Sequence, residues 1–374
     1  MGFSDITYHY NLLRDSIRMD AYYRALEKTI KPGMRVLDAG SGTGILGLMA
    51  LKLGAQSVTC VDVSSIVNVS ENFLKKNAEP GSYRIIQKEL REIKGMEFDV
   101  VVGELLSHFG FEEDSAGIYS SLKKNLAGKP VFIPSGLELY CNIANISRFT
   151  DDSLYKSTTI DYTEIIKEYC QFPEYIKSSE FRNIADDQLL YSSPLTEFSL
   201  PSVLRCSIEL PENTCFNAIT TFFRAQLAKD VFITNSPDFN ETHWMNIVFP
   251  VFPAMISGGR IEVELYPRSI GMKNIWAWKV TTGDQVCYAD SLSQSQNSID
   301  EILASCNLIR TEPDISYSGD ILLSILDALG VENPSTDIDV LVTNIMNKRP
   351  DFFSSKEHAS DYITSILAAL NSIV

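Results

Sequence analysis

The chain has 374 residues, enough for two or three domains, and 45% of them are apolar, the share of an ordinary globular protein with a large core. Lys and Arg number 32 against 48 Asp and Glu, a net charge of −16. That excludes a nucleic-acid backbone as the main partner and suits either plain solubility or a cationic substrate. The seven cysteines are scattered, with no CxxC pair and no metal-ligand spacing, which reads as reduced thiols in a cytoplasmic protein without a structural metal. The N-terminus has no basic start before an apolar run, Ile6 stands where a myristoylation motif needs Ser or Thr, and no run of about 18 apolar residues exists, so no membrane partner is expected.

In chain order, residues 10–29 space Leu12, Leu13, Ile17, Tyr22 and Leu26 as a helix does, with Pro32 and Gly33 as the stop. MRVLDAG reads as a strand, ILGLMALKLGA as a helix and SVTCVDV as a second strand. A helix over 64–78 and strands over 83–87 and 97–102 follow. Strands alternating with helices predict a doubly wound parallel sheet, taken as residues 1–132. After Ile133-Pro134-Ser135-Gly136 the texture changes. LELYCNIANI, SVLRCSIEL, AITTFFRAQL, RIEVELYP and NIWAWKVTT predict an antiparallel β domain over 133–290, interrupted by an arm at about 160–185. A polar linker at 291–298 leads to a small, mainly helical C-terminal module over 299–374.

Asp38-Ala-Gly40-Ser-Gly42-Thr-Gly44 sits where the first strand turns into a helix. Glycines there admit a close backbone approach, and the helix start offers free N–H groups. The spacing is GxGxG, not the GxGxxG of dinucleotide sites, so the turn suits the amino-acid end of a methionine-derived cofactor. Asp62 ends the second strand, where an acid can accept from ribose hydroxyls. The strand EFDVVVG delivers Glu104 to its C-terminal end, and Glu112 and Glu113 follow in the same loop. Paired carboxylates can grip the planar fork of a guanidinium and aim one nitrogen at a methyl donor. The bland alternative is a solvated acidic loop. His243, beside Trp244, reads as either a polar wall of the site or a satisfied core histidine.

Taken together, these segments resemble the protein arginine methyltransferases: His9-Tyr-Asn-Leu12-Leu13-Arg14-Asp15-Ser-Ile-Arg18-Met-Asp-Ala-Tyr22, VLDAGSGTGILGLMALKLGA, CVDVSSI, GELLSHFGFEE, FIPSGLELY and ETHWMNIVFP. The resemblance runs over about residues 3–287. It implies a Rossmann-like methyltransferase domain, an antiparallel β-barrel domain with a helical dimerisation arm, S-adenosyl-L-methionine as cofactor and a homodimer. The family's two glutamates lie nine residues apart, which selects Glu113 with Glu104. By the same resemblance Arg18 and His9 serve the cofactor, Arg18 through its carboxylate. Asp38, Gly40 and Gly42 shape the methionine pocket and Asp62 holds the ribose. Glu104 and Glu113 clamp the guanidinium, and His243 pairs with Asp15 as proton acceptor or structural tie. Trp244 walls the arginine channel, and Leu12 influences the methylation product. Arg91 stands where the family has Glu, which leaves Glu89 or Glu92 for the adenine end; Glu89 is the candidate.

The resulting reading is an N-methyltransferase acting on the guanidinium of free arginine, a peptide or a protein. A small-molecule N- or O-methyltransferase and a non-catalytic dimeric scaffold are the alternatives. The first alternative needs no second carboxylate, and the second predicts loss of the glycines, of Glu104 or of Glu113, none of which is lost.

Overall fold

The computed structural model describes residues 5–112, 115–150, 154, 160–270, 273–283 and 285–291, with isolated positions at 342–343, 355–356 and 360. Glu113, residues 292–298 of the expected linker and nearly all of the expected C-terminal module lie outside the described residues. Two compact units form. The first comprises Met1–Asn145, Glu174–Leu200 and Ile219–Val248; the second comprises Ile146–Pro173, Pro201–Ala218 and Phe249–Val374.

The first unit opens with helices α1 (Ile6–Arg14) and α2 (Ser16–Thr29). The single helix expected over 10–29 is broken at Asp15, which leaves helical geometry and caps α2 by accepting from the Arg18 N–H at 3.0 Å. The face α2 buries is Arg18, Ala21, Tyr22, Ala25 and Leu26, the spacing of one helical stripe, but it begins with a charged residue.

Strands β1 (Arg35–Ala39), β2 (Ser57–Asp62), β3 (Tyr83–Gln87), β4 (Val100–Gly103) and β5 (Val131–Ile133) make a parallel sheet in the order β3-β2-β1-β4-β5. Helices α3 (Ile45–Lys52), α4 (Val67–Asn77) and α5 (Ser115–Asn125) connect them. Strands of such a sheet are covered on both faces and read as unbroken apolar runs. Leu37, Ala39, Val61 and Val101 accordingly join Leu90, Ile93, Phe98, Leu122 and Leu126 in one buried cluster. The order reverses between β1 and β4, the point at which doubly wound sheets bind ligands. Register then fixes the site: Ala39 pairs with Val61 on one side and Gly103 on the other. Gly40, Asp62 and Glu104 therefore leave three adjacent strands at one level.

The antiparallel strands are β6 (Gly136–Ala144), β7 (Glu174–Ile176), β8 (Gln188–Pro194), β9 (Leu204–Ala228), β10 (Val231–Thr234), β11 (Asn246–Ile270), β12 (Lys273–Thr282) and β13 (Gln285–Asp290), and the arm carries α6 (Thr163–Tyr169). Within the first unit the order is β9-β6-β8, β10 pairs with the end of β9, and β7 pairs with the start of β11, Asn246 opposite Ile176. Within the second unit β13, β12, β11 and β9 follow one another, with Trp278 between Leu265 and Ala289. Phe249, Trp276 and Trp278 fill that unit's core, and the Trp278 indole donates to the Pro250 carbonyl at 2.6 Å. A barrel was expected. Among the described residues no ladder closes the strands into a ring, because β8 and β13 each have a paired neighbour on one side only. Alternation of side chains specifies two-faced strands; closure depends on the stagger between distant strands, which alternation does not encode.

Candidate active site

All site residues described below belong to the first unit. One cavity is lined by Tyr8, His9 and Leu12 of α1, Arg18 of α2, the glycine turn, Asp62, Lys88, Glu89 and Glu104 to Leu106. The turn needs its glycines: φ is +65° at Gly40, +51° at Gly42 and +79° at Gly44, a region L-residues with a Cβ avoid. A Cβ at Gly42 would also lie 2.8 Å from His9 Cε1, so His9 packs directly on the turn. Asp62 accepts from the Gly42 N–H at 2.9 Å through Oδ2 and from the Ser64 N–H and hydroxyl at 2.9 and 2.7 Å through Oδ1. It thereby ties the turn to the end of β2.

Asp38 does not line the cavity. It lies fully buried behind the turn and accepts from the Gly47 N–H of α3 at 2.7 Å, while Oδ1 has no partner. Burial, aided by the charge of Asp62 and opposed by the Gly47 N–H, pushes its carboxyl up to about 7. Ser41 was not singled out from sequence. It lines the cavity with a buried hydroxyl that has no partner, which is a group waiting for a ligand.

At the far end of β3, Glu89 lines the cavity and Glu92 does not. Arg91 ties Glu89 back, with its N–H on Oε2 at 2.6 Å and Nη1 on Oε1 at 3.0 Å, and Glu92 pairs with Lys88 instead. Glu89 thus brings to the cavity a carboxylate that Arg91 holds in place.

Glu104 sits beyond β4 with 7% of its side chain exposed, and Arg18, also 7%, is bound to it. Arg18 Nε and Nη2 both donate to Oε2, at 2.9 and 2.6 Å, and the Leu106 N–H donates to Oε1 at 2.9 Å. Nη1 reaches the Leu12 carbonyl at 3.3 Å. The buried guanidinium is held above its ordinary value; burial opposes this and the Glu104 charge outweighs it. Glu112 braces the loop: its Oε2 accepts from the Phe109 N–H at 2.8 Å and its Oε1 from the Tyr175 hydroxyl at 3.3 Å.

The Thr-His-Trp segment meets α2 at the helix break. Asp15 Oδ2 accepts from both the His243 N–H at 2.8 Å and His243 Nδ1 at 2.9 Å. A carboxylate only accepts, so an imidazole proton sits on Nδ1, and in the neutral ring Nε2 is the nitrogen that carries the lone pair. Burial works against the Asp15 charge, but the bonds from His243 and the Arg18 N–H hold the carboxyl below its usual range. Trp244 is buried, packs its ring 4.0 Å from that of His243 and donates to the Leu106 carbonyl at 2.9 Å. Two residues missed in sequence secure this corner. His108 Nδ1 accepts from the Met245 N–H at 2.9 Å, and Asn235 Nδ2 bridges the carbonyls of His108 and Met245, both at 2.8 Å. No local pattern marks either, since both serve contacts between segments far apart in sequence.

The glycine turn, Asp62, Arg18 and Glu104 therefore meet in one cavity, with the Asp15–His243 pair at α2 beside Arg18. Residues 22–137 match the family model of the ribosomal protein L11 methyltransferase (PrmA). Protein arginine N-methyltransferase 7 of Drosophila sechellia is 32% identical over 212 residues, which cover 53% of this chain and 29% of the fly protein. Protein arginine N-methyltransferase 6 of Danio rerio is 30% identical over 143 residues, 37% of this chain and 41% of the fish protein. The chain therefore spans under a third of the fly relative's length and under half of the fish relative's. The Trypanosoma brucei PRMT1 enzyme–prozyme heterotetrameric complex with AdoHcy has the same fold, with a TM-score of 0.68 at 20% identity, covering 77% of this chain and 98% of that one. Arabidopsis thaliana protein arginine methyltransferase 10 gives a TM-score of 0.65 at 17% identity, covering 77% and 99%. In sequence over part of its length, and in fold, the chain is akin to the protein arginine methyltransferases.

Proposed function

We propose that the chain transfers the methyl group of S-adenosylmethionine to the guanidinium of an arginine. The observation that carries this reading is that Glu104, buried in the same cavity as the glycine turn, already grips a guanidinium, that of Arg18, through two donors. A carboxylate that binds one fork of N–H donors there has the chemistry to bind another. The residues also fit the cofactor. The turn offers backbone amides at a helix start, Ser41 offers a hydroxyl without a partner, and Asp62 and Glu89 offer acceptors along the cavity.

Bound S-adenosylmethionine supplies an electrophilic methyl on a sulfonium. Gly40, Gly42 and Arg18 would hold its methionine end, with Asp38 bracing the turn from behind; Asp62 would hold its ribose and Glu89 the adenine end. Glu104, with Glu113 as second clamp, would orient one terminal nitrogen, while Trp244 and Leu12 would bound the channel. Orientation of this kind supplies much of the barrier reduction in a bimolecular transfer. The proton lost from the guanidinium goes to a carboxylate of the clamp or to His243 Nε2, which Asp15 keeps free.

The 160–185 arm exposes Ile160, Ile165, Tyr169 and Phe172, apolar groups that a second copy of the chain would cover; a homodimer through this arm accompanies the proposal. The unbridged thiols of Cys60, Cys170 and Cys287 suit a reducing compartment such as the cytoplasm. Among the described residues no helix is long and apolar enough to cross a membrane.

The test is incubation with methyl-labelled S-adenosylmethionine and three acceptors: free arginine, an arginine-rich peptide and histones. Label on arginine in at least one acceptor is expected. Glu104→Gln should lower the rate by about 10²–10³, the usual cost of one preorganised group in such a site. Label on lysine or a hydroxyl, or no transfer at all, would overturn the proposal.

A further inference from the structure

Arg18 is a full charge, 6% exposed, on the buried face of a helix, and its partner is the carboxylate that the acceptor needs. We infer that Arg18 is an internal stand-in for the substrate guanidinium, and that it couples the two halves of the site: Glu104 opens to an incoming arginine only when Arg18 turns to the carboxylate of the bound cofactor. The inference rests on the arginine reading above and adds to it how the site is regulated.

The geometry supports the exclusion. Oε2 takes both Nε and Nη2 of Arg18, and Oε1 takes the Leu106 N–H, so no pair of acceptor positions is left for a second fork. A second guanidinium would also have to sit against a cation, beside a carboxylate whose side chain is only 7% exposed. Leaving Glu104 empty is no alternative, because a buried carboxylate without a partner is strongly disfavoured. The exchange needs a new anion for Arg18. The cofactor carries one, and Arg18 lines the same cavity as Gly40 and Gly42. Little has to move: the Arg18 backbone is held by the Asp15 cap, and Nη1 already points away from Glu104 to the Leu12 carbonyl. Without cofactor the acceptor site is filled from within; with it, Glu104 is handed to the substrate.

Calorimetry tests this without turnover. The probes are L-arginine and an arginine–glycine peptide, each titrated into the protein alone, with S-adenosylhomocysteine, and with methylthioadenosine, which lacks the carboxylate. We expect acceptor affinity to rise on the order of 10-fold with S-adenosylhomocysteine, a usual size for coupling between sites, and S-adenosylhomocysteine affinity to rise by the same factor with acceptor. Methylthioadenosine should bind without coupling. Arg18→Met should bind acceptor tightly with no cofactor and lose the coupling; Arg18→Lys, which keeps a charge but not the fork, should keep part of it. Equal coupling by both nucleosides, no coupling in the native chain, or cofactor-free affinity unchanged in Arg18→Met would overturn the inference while leaving the arginine reading intact. Failure of both acceptors to bind in every state, with S-adenosylhomocysteine bound, would bring down both.

Discussion

Replacing Asp15 by Asn probes the helix break and the Asp15–His243 pair with one atom. In the native chain Oδ1 caps α2 and Oδ2 takes two donors from His243. An amide has one acceptor oxygen. If it stays on the cap, its NH2 group faces the His243 N–H and ring. The backbone N–H then loses its partner in a corner where Asp15 is 6% exposed, at a cost of about 1–3 kcal/mol. The ring recovers a bond only by shifting its proton to Nε2, where the free lone pair had been, which removes it as a proton acceptor. We therefore expect Asp15→Asn to unfold about 1–3 kcal/mol more easily in urea and to lose roughly 10²–10⁴ in methyl transfer, the usual worth of a positioned base. S-adenosylhomocysteine binding should change much less than the rate. The same substitution made on His243→Phe should cost little further activity, since the loss runs through the imidazole. Native stability and rate in Asp15→Asn, or a full second loss on His243→Phe, would refute the reasoning.

Two more outcomes follow from the glycine turn and the acid behind it. The Asp38 carboxyl rises from 3.8 to about 7 on folding, so the folded state holds a proton that the unfolded chain has released. Its contribution is neutral below about pH 4 and increasingly destabilising up to about pH 7, where a difference of about 3 pH units amounts to about 4 kcal/mol. Urea midpoints at pH 4.5, 6 and 8 should show Asp38→Asn stabilised over the native chain at pH 8 but not at pH 4.5; equal slopes would contradict the burial of a bare carboxyl. Gly42→Ala must adopt φ +51° and push a methyl to 2.8 Å from His9, so calorimetric affinity for S-adenosylhomocysteine should fall, and adding His9→Ala should recover only the part due to the clash.

The parallel half of the fold was legible because its strands are buried on both faces and stand out as apolar runs, and the turn because glycine spacing is local. The site was legible in part. Glu104 and Asp62 follow from strand ends, but what they bind does not: Asp62 is spent largely on Gly42 and Ser64, and Glu104 on Arg18. The break at Asp15 was hidden because helical spacing continues through it; there Asp15 caps α2 and accepts from His243, 228 positions away. Two expected segments, SVLRCSIEL and AITTFFRAQL, are one strand, β9. Asn213, between them at φ +60°, is accommodated within the strand. Helix α5 and strand β5 went unread, the first for want of a strong apolar stripe and the second for its three residues.

The pairing of Ala39 with Gly103 sets how the protein can be altered. The donor turn and the acceptor carboxylate hang from neighbouring strands, about 4.8 Å apart, and that spacing is held by backbone hydrogen bonds, not by loop shape. On the arginine reading, side-chain changes within residues 105–112 that keep the Leu106 amide on Glu104 and the Leu106 carbonyl on Trp244 should alter acceptor preference more than the alignment set by that spacing. Inserting one residue within Val100–Gly103 would turn Glu104 to the opposite face of the sheet and silence the protein at a stroke. On the arginine reading, substrate range and reactivity are thus open to separate revision in this chain.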